Sequence, residues 1–241
     1  MNPCFERSAL LLGEETIHIL EKKRVAVFGL GGVGGYALEM LARLGVGSLD
    51  LIDPDCFSVS NLNRQILAVE DSLGRPKTEV AKERVLSINP DCNVETYPLF
   101  YLPETREQIP FDSFDYIIDC IDTITAKIDI IETATKKNIP MISAMGCGNR
   151  LDPTKLVVDD IFQTANDPLC KVMRKELRKR NVPSLKVVYS KEDVLPPLKK
   201  IPSDRRKDIP GSVCFVPSYC GILLAYEAFK DLTSFRRETR K

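Results

Sequence analysis

The chain has no tryptophan and a single histidine, His18, within the segment Glu14–Glu21. No Ser-His-Asp or Cys-His device can be assembled without that imidazole, and no multi-histidine metal site is possible. No two of the eight cysteines (4, 56, 92, 120, 147, 170, 214 and 220) are spaced C-x-x-C. That argues against a tetrahedral zinc knuckle, and a chain of 241 residues does not depend on a disulfide scaffold. The thiols read as reduced and mostly buried, with Cys214 and Cys220 as packing residues. There is no run of 18 apolar residues and no apolar stretch of signal-peptide type at the N-terminus. The expectation is therefore a soluble, cytoplasmic chain without a membrane span. Net charge is also absent, but only in the sum. Residues 1–150 carry 15 Lys and Arg against 22 Asp and Glu, and residues 151–241 carry 19 against 12. The basic C-terminal part is a candidate surface for a polyanion; solvated helix is the plainer explanation of any one charge run.

What is present begins at Arg24. The run Arg24-Val-Ala-Val-Phe28 is apolar and rich in β-branched residues, and it feeds the turn Gly29-Leu-Gly31-Gly32-Val-Gly34. The first glycine permits a tight turn off a strand, the second lets backbone approach a phosphate, and the third lets the following helix pack on the sheet. That helix, expected over 35–43, points unpaired N–H groups at the phosphates. Asp53 ends the next strand 24 residues after Gly29, near the spacing of a ribose-binding acid. Ser60-Asn61-Leu62-Asn63-Arg64-Gln65 then places amides and a guanidinium downstream of Asp53 and Asp55. A dehydrogenase needs only the glycine turn and the acid. Splitting ATP at its α-phosphate also needs fixed cations where charge develops.

Apolar patterning predicts helices over 7–12, 14–20, 76–88, 123–137, 168–180 and 219–232, with Pro76 in the first turn of the third. It predicts strands over 24–28, 48–52, 93–97, 115–120, 140–145, 155–158 and 186–189. Strands alternating with helices imply an α/β fold: a Rossmann-like doubly wound, mainly parallel sheet with helices on both faces. A small C-terminal extension is expected to carry antiparallel strands. The reading is one domain over 1–241, divided into a nucleotide-binding part (1–150) and a basic part (151–241). The latter is expected to hold a mobile loop at about 191–213 and a closing helix. Ligands in such sheets bind beyond the carboxyl ends of strands, where Gly29, Asp53 and Asp122 all fall. Asp122 reads as the N-cap of its helix, and with Asp119 gives a strand end with two carboxylates, suited to Mg²⁺. Arg75 and Lys77 begin a helix, where cations oppose the dipole, a cost that a phosphate contact would offset.

These motifs, together with Gly74-x-x-Lys77 and Asp119-x-x-Asp122, resemble the ThiF/MoeB/ubiquitin-activating superfamily of ATP-dependent adenylating enzymes. The resemblance spans roughly residues 5 to 232. It implies ATP with Mg²⁺, and leaves open a monovalent cation. It implies that Gly29, Gly31, Gly32, Gly34, Asp53, Asp55, Asn61, Arg64, Gln65, Lys77 and Asp122 surround the nucleotide. Asp53 would hold the ribose, Asn61, Arg64 and Lys77 the triphosphate, and Asp122 the metal. Arg7 resembles the family's arginine finger, which reaches a neighbouring subunit's ATP, so a homodimer is implied. Phe5 stands where the family pattern has a second arginine. Leu11–Glu15, Arg64–Ile66, Ser87–Pro90, Met145–Pro153 and Phe215–Gly221 are similar to the branch that dehydrates threonylcarbamoyladenosine in tRNA.

That likeness implies tRNA bearing threonylcarbamoyladenosine as substrate, and the basic C-terminal charge makes Lys171, Arg174, Lys175, Arg178, Lys179 and Arg180 with the loop 199–207 the surface expected to hold it. The carboxylate would be adenylated, and the urea of the same group would close a ring and release AMP, with no covalent cysteine. Two alternatives remain. One is activation of the C-terminal carboxylate of a ubiquitin-like sulfur-carrier protein. The other is a dehydrogenase or nucleotide-sensing module, which leaves Asn61, Arg64, Lys77 and Asp122 without a task.

Overall fold

The computed structural model describes residues 2–199 and 210–235. Lys200, Arg205, Arg206 and Lys207 of the expected basic loop lie outside the described residues. In chain order the elements are α1 (Glu6–Leu12), α2 (Glu14–Leu20), β1 (Arg24–Phe28), α3 (Gly34–Leu44), β2 (Ser48–Ile52), α4 (Lys77–Ile88) and β3 (Asn93–Tyr97). There follow β4 (Tyr116–Asp119), α5 (Ile124–Lys137), β5 (Met141–Ala144), β6 (Leu156–Asp160), α6 (Pro168–Lys179), β7 (Lys186–Ser190) and α7 (Phe215–Thr233).

The seven strands form one sheet in the order β3-β2-β1-β4-β5-β7-β6. All neighbours are parallel except β6 against β7. The C-terminal strands are thus a continuation of the sheet, because β7 pairs in parallel with β5 and carries antiparallel β6 on its outer edge. Strand β1 is central and apolar on both faces, as a doubly covered strand must be. Val25 and Val27 join the cluster under α3, α4 and α7, whereas Ala26 and Phe28 join Tyr101, Phe111 and α5 on the other side. A third cluster fixes α6 onto β7 and α5 through Met173, Leu177, Val187 and Ile131.

Pro76 stands at the N-cap of α4 with ψ of 133°, outside the helix instead of in its first turn. Helix α7 begins at Phe215, four residues before the expected start. The register decides what meets at the top of the sheet. Phe28 lies opposite Ile52 on one side and Asp119 on the other. Gly29, Asp53 and Cys120 therefore leave adjacent strands side by side. The order reverses between β1 and β4, the switch point where open α/β sheets take ligands.

Candidate functional site

The loop from Gly29 to Gly34 is held open by its own geometry. Gly29 has φ of +88°, and a Cβ there would lie 2.9 Å from the Cys120 carbonyl oxygen. A Cβ on Gly34 would lie 1.8 Å from the Gly29 carbonyl oxygen. The third glycine is thus required first by the loop closing on itself; contact with the sheet, at the Cβ of Cys120, comes second at 3.3 Å. Gly31 faces open space: a Cβ there would have only the Gln65 amide nitrogen near it, at 4.0 Å. Among the described residues, no partner accepts from the N–H groups of Gly31, Gly32, Val33 or Gly34. Four orphan donors at the start of α3 make an anion cradle.

Asp53 anchors this cradle. Its Oδ2 accepts from the Leu30 N–H at 2.7 Å and its Oδ1 from the Asp55 N–H at 2.9 Å. Burial pushes its carboxyl above the usual range, while Lys77 and the two N–H groups pull it down. Lys77 is itself 5 % exposed. Its Nζ donates to Asp55 Oδ2 at 3.0 Å and lies 3.6 Å from Asp53 Oδ1. Asp55 is exposed beside it. Arg75, the other cation flanking Pro76, turns away to Glu83.

On the far side of the loop, Asn61 Oδ1 accepts from the Ser58 N–H. Arg64 Nη1 donates to the Ser60 carbonyl at 2.7 Å and to Asn63 Oδ1 at 2.9 Å. Gln65 is buried beneath Gly31, and its Oε1 has no hydrogen-bond partner among the described residues. A buried orphan acceptor under a glycine loop is where a ligand hydroxyl, amino group or ordered water completes a site. The structure therefore gathers the glycines, Asp53, Asp55, Arg64, Gln65 and Lys77 about one mouth, with Asn61 on the loop that carries Arg64 and Gln65.

Two expectations for the β4 end need correction. The N-cap of α5 is Thr123, not Asp122, which lies one residue earlier. Asp119 does not join Asp122 as a second metal carboxylate. It is fully buried, with Oδ2 accepting from Lys127 Nζ at 2.8 Å and Ser143 Oγ at 2.6 Å, and Oδ1 from the Ile121 N–H. The described residues hold no group of three or more His, Cys, Asp or Glu able to bind a metal. A metal at Asp122 would thus rely on one carboxylate plus phosphate and water, a mode that suits Mg²⁺.

Arg7 is remote from this mouth. Phe5 is buried, and its ring lies 3.1 Å from where a Cβ on Gly45 would sit, just past the C-terminal end of α3. The position where the family pattern has a second arginine is thus a core phenylalanine here. The phosphate loop is at the other end of α3, about 16 Å away for eleven residues. Arg7 is exposed and makes no ion pair or side-chain hydrogen bond among the described residues.

The basic helix is less free than its composition suggests. Arg174 donates to Thr164, Arg178 lies over the Phe162 ring, and Lys179 and Arg180 pair with Glu176. Lys171 and Lys175 are exposed. Cys220 is buried as expected, but Cys214 is exposed at the N-cap of α7. Burial pushes the Cys120 thiol well up, and a hydrogen bond with Cys147 plus burial does the same for Cys220. Neither is a thiolate nucleophile at neutral pH.

Features invisible in the sequence also shape the site. Arg150, after β5, forms a buried pair with Asp167 at 2.6 Å and donates to the Gly146 carbonyl, fixing the turn 146–150. Thr78, beside Lys77, is 1 % exposed and its hydroxyl has no partner among the described residues. Thr78→Val should therefore be neutral or stabilise by up to about 1 kcal/mol, since an unpaired buried hydroxyl contributes only its desolvation cost. A denaturant titration checks this; a clear loss of stability would show that the hydroxyl is paired.

No helix among the described residues is long and apolar enough to cross a membrane. The ThiF family model matches residues 5–241. A tRNA threonylcarbamoyladenosine dehydratase of Bacillus subtilis is 38% identical over 242 aligned residues, covering 95% of this chain and 94% of the relative. The Escherichia coli dehydratase of the same name is 38% identical over 174 residues, 72% of this chain and 65% of its own length. A crystal structure of that E. coli enzyme in complex with ATP superposes with a TM-score of 0.86 at 32% identity, covering 95% of this chain and 93% of that one. With the glycine cradle, the switch-point site and a match over nearly its whole length, the chain belongs to the ThiF family.

Proposed function

We propose that this protein is an ATP-dependent tRNA threonylcarbamoyladenosine dehydratase. The observation that carries the reading is the near-complete overlap with dehydratases of that name, one of them solved with ATP, combined with the orphan-donor loop over the switch point. The substrate adenosine bears a threonylcarbamoyl group with a free carboxylate. That carboxylate attacks the α-phosphate of ATP, and pyrophosphate leaves. The urea oxygen or nitrogen of the same group then attacks the acyl adenylate; AMP departs and the ring closes with net loss of water. The second step is intramolecular, so proximity replaces an enzyme nucleophile.

Each residue then has a task. Asp53 keeps Leu30 and Asp55 in place and offers the remaining lone pair of Oδ2 to the ribose. The N–H groups of residues 31–34 hold phosphate. Lys77 exchanges a carboxylate contact for the triphosphate, and Arg64 meets the charge developing at the α-phosphate. Mg²⁺, held by Asp122 and phosphate oxygens, would neutralise charge on the leaving pyrophosphate. Lys171, Lys175, Arg178 and Lys179 are the exposed cations of α6 offered to tRNA, the first two without an intrachain ion pair among the described residues. The test is mass spectrometry of tRNA nucleosides after incubation with enzyme and ATP. The cyclised nucleoside, lighter by one water, is expected; an unchanged nucleoside with AMP formed on a sulfur-carrier protein would transfer the reading to that substrate.

Arg7 supports a homodimer in this reading. It begins at the pole opposite its own phosphate loop, so an arginine acting on ATP from there acts on a second copy. Leu10 and Leu11 beside it are 85 % and 67 % exposed, and Phe215, Tyr219, Ile222 and Tyr226 form an exposed apolar stripe along α7. Such faces are covered in assemblies. Mixing inactive Arg7→Ala with inactive Asp122→Ala should restore roughly a quarter of the activity, because mixed dimers hold one intact site. If subunits exchange and activity stays absent, Arg7 does not act across an interface.

A further inference from the structure

The Ser60–Gln65 segment contains a second asparagine, Asn63, to which neither the nucleotide nor the metal assigns a task. Its side chain is exposed, yet both ends of its amide are engaged. Oδ1 accepts from Arg64 Nη1 at 2.9 Å, and Nδ2 donates to the carbonyl of Ser212 at 3.0 Å. Ser212 is 149 residues away in sequence. It belongs to a short strip that leads into α7 and is fastened at several points across the mouth. Gly211 accepts from the Asn149 N–H at 2.8 Å and donates to Asn149 Oδ1 at 2.7 Å. A Cβ on Gly148 would lie 2.9 Å from Pro210. A Cβ on Gly32, in the phosphate loop, would lie 3.3 Å from Pro217 and 3.4 Å from Arg64. Asn149 holds φ of +56°, a conformation that asparagine tolerates because its short amide can bond locally.

The strip thus joins two loops, the turn after β5 through Asn149 and the Ser60–Gln65 loop through Asn63, and leads into α7, whose Pro217 packs beside the phosphate loop. Of these contacts, the one through Asn63 continues by a hydrogen bond to the guanidinium of Arg64. We propose that Asn63 is a positioning residue for adenylation, tying the Arg64 guanidinium to the backbone of the 210–214 strip so that the strip's seating sets where that cation points. An arginine has many rotamers, and fixing one side of the guanidinium from a neighbouring amide removes that freedom before ATP binds. A hydrogen bond to a charged group carries more than a neutral one. The inference rests on the assignment of Arg64 to the triphosphate, and not on the identity of the acceptor.

The experiment is a set of binding and rate measurements on the full chain. Binding of the α,β-methylene analogue of ATP is followed by calorimetry, and AMP formation is followed on modified tRNA. Asn63→Ala should weaken analogue binding about tenfold and slow AMP formation with little change in thermal midpoint. Asn63→Asp separates the two ends of the amide. It keeps an acceptor for Arg64 but loses the donor to Ser212, so it should stay close to Asn63→Ala if the link to the strip is what counts. Asn149→Ala frees Gly211 and loosens the same strip, so its effect should be much smaller in the Asn63→Ala background than alone. Wild-type binding of the analogue by Asn63→Ala, full recovery in Asn63→Asp, or independent effects of Asn63→Ala and Asn149→Ala would each overturn the proposal. If wild type binds the analogue but forms no AMP on the tRNA, the substrate reading falls while the binding cycle still decides the role of Asn63.

Discussion

Arg64→Ala is expected to slow AMP formation by about 10²–10³-fold, the usual loss when one preorganised charge donor is removed from a developing oxyanion. Stability should change by no more than about 0.5 kcal/mol. The reason lies in its surroundings: its hydrogen bonds go to the Ser60 carbonyl and to Asn63, both at the open mouth, and no core contact is lost. Lys77→Ala should cost a similar factor in rate but also some stability. Lys77 is buried against Asp53, whose carboxyl burial already pushes up, so removing the ammonium leaves that carboxylate with only its two N–H donors. Rapid-quench measurement of AMP, alongside denaturant titration, separates the two variants. Near-normal rates in both would remove the phosphate site from this mouth.

Lys127→Met is expected to destabilise the fold by about 3–5 kcal/mol, because it leaves Asp119 as a fully buried carboxylate without its counter-charge. For a chain of this size that corresponds to a fall in thermal midpoint of roughly 6–20 °C. Ser143 and the Ile121 N–H remain as donors, but hydrogen bonds alone do not neutralise a charge. The double variant Lys127→Met, Asp119→Asn should regain much of the loss, since the uncharged amide accepts from the Ile121 N–H through its one oxygen and donates to Ser143 Oγ through its nitrogen. If Lys127→Met alone unfolds at the wild-type temperature, the pair is solvated in solution. The same buried pair sits beneath the 120–123 crossover that carries Asp122, so the single variant should also lose activity before it unfolds.

Much of the fold was legible in the chain because its signals are local. Arg24–Phe28 and Tyr116–Asp119 are nearly continuous apolar runs, and only a strand covered on both faces accommodates them. Gly29 and Gly34 announce a turn that no residue with a side chain can make. Asp53 was legible because a strand end at that distance from the glycines must lie beside them once the strands pair in parallel. Helix boundaries were less legible. Phe215–Ser218 carries no marked helical periodicity, and it becomes the first turn of α7 because Pro217 and Gly221 must lie close to Gly32 and Val33.

Charge content was the poorest guide. The six cations of the α6 region read as a uniform basic face, yet four of them are engaged by Thr164, Phe162 and Glu176, whose proximity depends on how the chain turns before and along the helix. Asp119 and Asp122 read as an equivalent pair of carboxylates three residues apart. Only the packing of α5 on β4 brings Lys127 onto Asp119 and buries that pair, whereas Asp122, three residues on, is exposed. By itself, then, the sequence determined the order of strands and helices, the glycine loop and the carboxylate that closes it, because these depend on side-chain volume, backbone freedom and short-range spacing. The tertiary structure decided which charges are already paired, that Arg7 lies at the far pole from its own phosphate loop, and that Asn63 meets Ser212. Those facts depend on how the elements pack, from Lys127 on Asp119 eight positions away to Ser212 on Asn63 149 positions away, which no periodicity in the chain encodes.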